Sequence, residues 1–340
     1  MAESASRAQG PGRSIGVPRA LRLLLALTSE RAAIIQAEFV PGRTGVPYLN
    51  FGTPMTPLVL ALLLFMLPHP PRGPGVGWVT LLEGSLQVIR GTNVFQGVEG
   101  MNVKPGDIIE SSEGAFVQME FVGGAVLALG PSSRLYILPQ AAGSERTVAM
   151  DMVVLNGWLK HEAAADKGSY RYRTPELAVT TNAGTIVFRS GPNACDIFVE
   201  SGSASIAEVS QNGNSGPTVP AKVGQFFSRL KGAGVTNLER PSASFLDSMP
   251  KQFRDTLPPR QARLPEKAVE PKAEHPVSYA EIEHWLMAPS AWRRGLAERF
   301  APRLADPGFR KQIELHERDL PDWGPVLHPK TPSESPQVRN

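Results

Sequence analysis

The sequence predicts an all-β fold, either a two-sheet sandwich or a β-solenoid-like domain, with a short α-helical appendage at its C-terminal end. Three observations predict it. Strand-like runs recur about every 8 to 12 residues between Trp78 and Arg229. Gly, Asn, Asp and Pro residues separate these runs, and helical patterns begin only after residue 278. Regular short strands with turn signals between them are typical of sandwiches, barrels and solenoids.

Individual strands are predicted from runs in which apolar and polar residues alternate. This two-residue period is typical of a strand that is buried on one face. In the clearest run, residues 115–121, this alternation predicts that Gln118 and Glu120 are more exposed than their neighbours. The buried set should be Val117, Met119, Phe121, Leu127 and Leu129. The predicted strands lie near 78–82, 85–90, 115–121, 125–129, 134–138, 148–155, 158–162, 169–173, 177–181, 185–189, 194–200, 203–208 and 224–229.

Turn residues punctuate the strands. Asn156-Gly157 between two strand-like runs is the strongest hairpin signal in the chain. Residues 182–184 and 201–202 predict further turns. Glycine is suited to positive φ, and we expect that conformation at the glycines of the best-patterned stretch, Gly106, Gly124 and Gly130.

The stretch from Gly106-Asp107 to Leu135 also resembles the FecR domain family, the periplasmic modules of iron-dicitrate-type sensors. The matching elements are Gly106-Asp107, Ser111 to Phe121, Gly124 and Leu127-Ala-Leu-Gly-Pro-Ser-Ser-Arg-Leu135. The resemblance extends more weakly through Gly157, Thr174-Pro175, Gly184-Thr185, Glu200-Ser-Gly202 and Gly224-Gln225. It implies a FecR-like β-domain over residues 78–240.

This resemblance implies a non-enzymatic extracytoplasmic signalling or protein-interaction module with another cell-envelope protein as its partner. Family members that regulate sigma factors resemble a cytoplasmic domain, one transmembrane helix and a periplasmic β-domain. Residues 1–54 are short for such a cytoplasmic domain and contain no Trp. A freestanding exported member therefore fits better. The alternative is a cell-envelope or cell-wall-associated scaffold, which the basic, Trp-bearing tail also fits.

An apolar run, Leu58 to Leu67, points to export. Its ten residues are too few for a spanning helix, which needs about 20, and suit the central region of a signal peptide. Residues 55–77 are thus predicted as a signal peptide, or a membrane anchor if uncleaved, and the protein as periplasmic. Met55 is a plausible start, which makes residues 1–54 an unstructured or misannotated extension. A short cytoplasmic arm is the alternative.

Composition changes near Pro241. Residues 241–277 resemble a Pro-rich linker, residues 278–320 a helical tail, and residues 321–340 a disordered terminus. Predicted helices begin with the capping box Ser278–Glu281 and with Asp306-Pro307, and a third covers 291–301. Their aromatic side chains must bury against the β-domain or against a partner. These are Trp285, Trp292, Phe300, Phe309 and, beyond the tail, Trp323.

No catalytic, cofactor-binding or metal site is predicted, and no cofactor. The six His residues show no metal-ligand spacing, and no nucleophile elbow or phosphate loop occurs. The single cysteine, Cys195, lies in a strand-like run and reads as a packed thiol. Asp107 is interpreted as a turn-fixing carboxylate.

A net charge of +3 without a basic stripe argues against nucleic-acid binding. The polar loop Gln211 to Pro217 is either a partner-binding loop or a plain connector.

Export generates a first prediction. In a fractionated cell, the mature chain should start near Trp78, because signal peptidase cleaves after small residues such as Gly75 and Gly77. N-terminal peptide mass spectrometry of the exported protein should find no peptide from residues 1–54. Abundant full-length protein in the cytosol that retains Met1 would contradict export.

Overall fold

The computed structural model describes residues 76–139, 148–165, 168–264 and 267–329. They lie within the compact unit formed by His69–Asn340. The predicted extension 1–54, the apolar run 58–67 and residues 330–340 fall outside the described residues. No helix in the described part of the chain is long and apolar enough to cross a membrane.

The described residues form a predominantly β structure with short helices at the C-terminal end, which confirms the predicted fold class. The first strands are β1 (Gly77–Glu83), β2 (Leu86–Arg90), β3 (Asn93–Gln96), β4 (Asn102–Val103), β5 (Ile108–Ser111), β6 (Phe116–Phe121), β7 (Val126–Leu129) and β8 (Arg134–Ile137). The later strands are β9 (Val148–Ala163), β10 (Ser169–Arg173), β11 (Leu177–Ser190), β12 (Ala194–Val209), β13 (Ser215–Lys222), β14 (Phe226–Leu230), β15 (Thr236–Leu238) and β16 (Ala273–Pro276). The helices are α1 (Ala243–Ser248), α2 (Tyr279–Leu286), α3 (Ser290–Arg293), α4 (Leu296–Phe300), α5 (Pro307–Leu315) and α6 (Gly324–Leu327).

The strands form one continuous hydrogen-bonded sheet that folds over on itself into two layers. Layer A has the order β4-β1-β6-β7-β9-β11-β12-β14-β15, using the second halves of β9 and β11 and the first half of β12. Layer B has the order β16-β3-β2-β5-β8-β9-β10-β11-β12-β13, using the other halves of the same strands. Pairing is antiparallel except between β9 and β10.

The predicted hairpin at Asn156-Gly157 and the two predicted turns at 182–184 and 201–202 are wrong, and these turn signals instead mark the corners where long strands pass between the layers. Asn156-Gly157 lies inside β9, and Gly184 and Gly202 face each other across β11 and β12. A Cβ on Gly184 would overlap the Ser201 carbonyl oxygen, and one on Gly202 the Ala183 carbonyl oxygen. Glycine is required there because the strands bend and bulge, with the pairing register shifting beside these residues.

Both layers contribute to one apolar core between them. The five predicted core residues Val117, Met119, Phe121, Leu127 and Leu129 are all buried in it, together with layer B residues such as Val88, Leu135 and Met152. Gly106 and Gly124 have positive φ, as predicted. The prediction for Gly130 is wrong, because its φ is not positive. Glycine fits there for a different reason: a Cβ at this position would lie 2.8 Å from the Trp158 Cβ and 3.0 Å from Pro250 Cγ.

The first part of the predicted linker packs against the outer face of layer A. Residues 241–277 include α1, two 3₁₀ turns and β16. Four side chains of this segment are buried in a second apolar cluster with residues of layer A: Phe245, Met249, Phe253 and Leu257. Most of the other described side chains of this segment are exposed, which agrees with its polar composition. The linker interpretation is therefore corrected.

The helical tail packs against the outer face of layer B. The tail aromatics, Trp285, Trp292, Phe300, Phe309 and Trp323, are all buried in a third cluster with Ile89, Ile108, Tyr136 and Val153. Both predicted helix starts are confirmed, since the Ser278 amide donates to Glu281 and the Phe309 amide to Asp306. The predicted helix 291–301 is interrupted at Gly295, which has φ +82°. Burial of Trp323 also corrects the expected disorder for residues 321–327.

Phe121 offers a test of the core. Replacing it with Ala should lower the free energy of unfolding by about 3–5 kcal/mol, because its ring is buried between the layers. The neighbouring change Val122→Ala should be nearly neutral, since Val122 is 64 % exposed. Urea denaturation followed by tryptophan fluorescence measures both. Equal effects of the two changes would contradict this placement of the core.

Candidate functional site

The outer face of layer A holds a chain segment by its backbone. We call residues 243–261 the strap. The strap face consists of the layer A side chains beneath it, which are Phe116, Gln118, Glu120, Val126, Trp158, Lys160, Glu162, Val187, Phe198, Glu200 and Phe226. In β6 and β9 these are the residues that alternate with the core positions, so their side chains point outward.

Lys160 is at the centre of the strap face. Its side chain is 1 % exposed, and its ammonium donates to the carbonyl oxygens of Phe253 and Asp255, each at 2.9 Å. Its charge is compensated by Glu162 at 3.1 Å and Glu200 at 3.3 Å. A buried ammonium needs such partners because it has left water. Lys160 therefore couples two strands of layer A to the strap backbone.

Three further polar side chains bind strap backbone groups. The Glu162 carboxylate accepts from the Leu257 amide at 3.1 Å. The Gln118 amide donates to the Pro258 carbonyl oxygen at 2.8 Å. Glu120 accepts from the amides of Arg260 and Gln261 at 2.5 and 3.1 Å.

These contacts explain why one exposure prediction is wrong. Gln118 and Glu120 are 1 % and 5 % exposed although they occupy the outward positions of β6. The strap covers both side chains. The alternation of apolar and polar residues within β6 cannot predict cover by a segment that is distant in sequence. One signal in the sequence points to this docking: large apolar residues occur every fourth position from Phe245 to Leu257 in an otherwise polar segment.

The opposite face carries a smaller polar contact between the tail and layer B. Glu110 on β5 accepts from His284 Nε2 at 2.6 Å and from Trp285 Nε1 at 2.8 Å. Burial raises the pKa of Glu110, but the hydrogen bonds and charge of His284, with Trp285 and Arg134, outweigh it and hold this pKa below its ordinary value. The carboxylate thus stays charged and anchors α2 to the sheet.

The two layers end in edge strands, β13 in layer B and β15 in layer A. A cleft of about 420 Å³ beside β12 and β13 has Ile206, Val219 and Val235 among its walls. Nine large apolar side chains are exposed in the described chain, and four of them lie between β13 and β15: Val219, Val223, Leu230 and Leu238. The segment that contains both edge strands therefore carries four of these nine exposed side chains.

The polar loop Gln211 to Pro217 is a hairpin turn followed by the start of β13. Its backbone is held by the tail: the Gly213 carbonyl oxygen accepts from Trp292 Nε1 at 3.1 Å, and the Asn212 carbonyl oxygen from the Ala291 amide at 3.2 Å. The loop thus connects two strands and positions α3. The sequence left open whether this loop binds a partner or only connects two strands, and these contacts fit a connecting loop.

Asp107 and Cys195 both have structural surroundings. The Asp107 carboxylate accepts from the Lys104 amide at 2.8 Å and from two nitrogens of Arg90 at 2.7 and 2.8 Å. It fixes the turn, as predicted. Burial raises the pKa of the Cys195 thiol to about 12, so it remains protonated and packed in the core. Among the residues that the structure describes, no group of three His, Cys, Asp or Glu side chains is arranged for a metal ion.

His161 is buried between the two layers. Its Nδ1 lies 2.7 Å from the Tyr172 hydroxyl, and its Nε2 has no hydrogen-bond partner. Burial lowers the pKa of His161 to about 3. The imidazole is therefore neutral at physiological pH and fills the core as an aromatic ring beside Tyr170.

Comparison with known proteins gives few matches. No protein-family model and no curated protein matches this chain. The chain is similar to two crystal structures of a candidate anti-sigma factor from Parabacteroides distasonis, with 9 % and 12 % identity and TM-scores of 0.33 and 0.32. The matched regions cover 42 % and 39 % of this chain and 64 % and 59 % of the other chains, less than two thirds of their length.

Acid should destabilise the fold through His161. Between pH 6.5 and 3 the unfolded chain binds a proton at this residue and the folded chain does not, so stability falls as the pH falls. From pH 7 to 5 the loss from this group should be about 2 kcal/mol. Urea denaturation across this range should show a shallower pH dependence for His161→Leu.

The control for this measurement is His328→Gln. The His328 side chain is 70 % exposed, so this change removes a histidine from the surface without altering the core. The His161→Leu variant also leaves the Tyr172 hydroxyl without its partner, which lowers stability equally at every pH. The same slope in both variants would contradict a neutral buried His161.

Proposed function

We propose that this chain is a non-enzymatic, extracytoplasmic signalling or protein-interaction module of the FecR type. It acts in the periplasm on another cell-envelope protein and binds no nucleic acid. Membrane contact is confined to residues 58–67, and only where that segment is not cleaved. The FecR-like residue pattern and the apolar run support this proposal.

The observation that carries it is the apolar exposure at the edge strands. The tail and the strap cover both outer faces of the sandwich, whereas Leu230 and Leu238 remain 62 % and 44 % exposed beside the layer edge. Four of the nine exposed large apolar side chains of the described residues fall within the segment from Val219 to Leu238, and apolar exposure on a folded domain can mark a contact with another protein. Pro217 and Pro220 lie in β13, and proline on an edge strand prevents indiscriminate strand pairing. At β14 and β15, where Leu230 and Leu238 are exposed, we propose that recognition uses side-chain contact.

Site-specific photo-cross-linking tests this surface. A photoreactive residue at position 230 should form one discrete adduct with a protein of the envelope fraction. The same residue at position 315 is the matched control, because Leu315 is 65 % exposed but lies on α5. Leu238→Lys should strongly reduce the adduct at 230, because it places a charge in the proposed contact.

Several outcomes would overturn the proposal. Identical adduct patterns at positions 230 and 315, or none at 230, would remove the proposed surface. Recovery of the protein mainly in cell-wall material, with adducts to that material, would favour the scaffold alternative. A hydrolase or transferase activity abolished by one carboxylate substitution would overturn the non-enzymatic assignment.

A further inference from the structure

The two covered faces of the sandwich differ in chemistry. The tail covers an apolar surface formed by Ile89, Ile108, Tyr136 and Val153. The strap covers a surface whose centre is Lys160, 1 % exposed, with Gln118 and Glu120. Buried charged groups stabilise a permanent contact no better than apolar side chains of similar size. The strap face therefore combines a polar centre with the apolar side chains around it, whereas the face beneath the tail is chiefly apolar.

The polar side chains of the strap face bind backbone groups of the strap. Lys160 and Gln118 donate to three carbonyl oxygens, and Glu162 and Glu120 accept from three amides, all within residues 253–261. None of these bonds depends on the identity of a strap side chain. The face therefore fits any segment that presents the same backbone path.

Selectivity comes from apolar spacing and charge. Phe245, Met249, Phe253 and Leu257 lie four residues apart and bury against layer A. On the strap face, Glu162 and Glu200 contact the Lys160 ammonium, Glu120 is a third carboxylate that accepts from strap amides, and Arg189 is paired with Asp196. The strap and the residues after it carry Lys251, Arg254, Arg260 and Arg263 against Asp247 and Asp255. An acidic face thus meets a basic segment.

We propose that the strap face is a binding site for a segment of a partner protein, and that the strap occupies it as an intramolecular competitor. The partner segment is basic and carries large apolar side chains at every fourth position. The proposal deepens the proposed function and rests on it for the partner being a protein. Binding of such a segment releases the strap and couples partner recognition to the C-terminal part of the chain.

Peptide binding to the full chain tests the proposal. The probe is a fluorescent peptide with the sequence of residues 241–264, and the readout is its anisotropy. The full-length double variant Phe245→Ala and Phe253→Ala should bind the peptide at least tenfold more tightly than the wild type, because its own strap competes less well. A peptide of the same composition with the apolar residues moved off their four-residue spacing should bind at least tenfold more weakly.

Matched lysine changes locate the binding site. In the strap-weakened chain, Lys160→Met should reduce peptide affinity at least tenfold, because the ammonium that binds two carbonyl oxygens is lost. Lys222→Met should not change it, since Lys222 is exposed on β13. Equal effects of the two changes, or no peptide binding by a folded strap-weakened chain, would overturn the proposal.

Hydrogen exchange on the unmodified chain provides a test that needs no variant. The amides of Leu257, Arg260 and Gln261 should exchange through a local opening, at lower urea than the amides of Val117 and Met119 on β6. Saturating peptide should accelerate exchange of these strap amides. If the strap amides and the β6 amides exchanged only through global unfolding, with the same urea dependence, the proposal would be overturned.

Three other outcomes separate this inference from self-association and from the proposed edge-strand surface. A concentration-dependent doubling of the mass of the unmodified chain, with strap amides still protected, would assign the face to a second copy and overturn the partner assignment. Failure of peptide binding with an intact cross-link at position 230 would remove the strap-face inference alone. Peptide binding without that cross-link would remove the edge-strand surface and keep the strap face.

Discussion

The structure depends on three long strands that belong to both layers at once. β9, β11 and β12 each pair in layer A through one half and in layer B through the other. The layers consequently cannot separate without breaking the backbone hydrogen bonds of these strands. Gly184 and Gly202 permit the crossing where β11 and β12 bend together. The single core follows, because the two halves of the sheet must then face each other.

Closure around one core leaves two outer faces, and the C-terminal part of the chain covers both. The strap lies on layer A and the tail on layer B, and between them β16 pairs with β3 at the edge of layer B. The tail contributes large aromatic side chains to an apolar contact, with Glu110 as a polar anchor. The strap combines four apolar anchors with backbone hydrogen bonds. One contact is thus built chiefly for stability, and the other also for recognition of a chain segment.

The ionisable groups of the described residues are mostly used to hold the chain together. Asp107 fixes a turn through Arg90 and a backbone amide, and Lys160 and Glu120 bind the strap backbone. Each of these side chains has its partners within the chain, so its charge is already compensated. Recognition at the edge strands is accordingly proposed to use apolar side chains, and at the strap face the same backbone contacts that the strap makes.

The sequence alone determined the fold class, the inward set of β6 and β7, and the starts of α2 and α5, because alternation and capping are local properties. It also marked Asn156-Gly157, Gly184 and Gly202 as special positions. Only the tertiary structure decided that these glycines lie at bends within continuous strands. A turn and a strand bend both favour glycine with positive φ, so the sequence does not distinguish them. It likewise decided that Gln118 and Glu120 are buried. Their cover is about 140 residues away in the chain, beyond the reach of any local pattern.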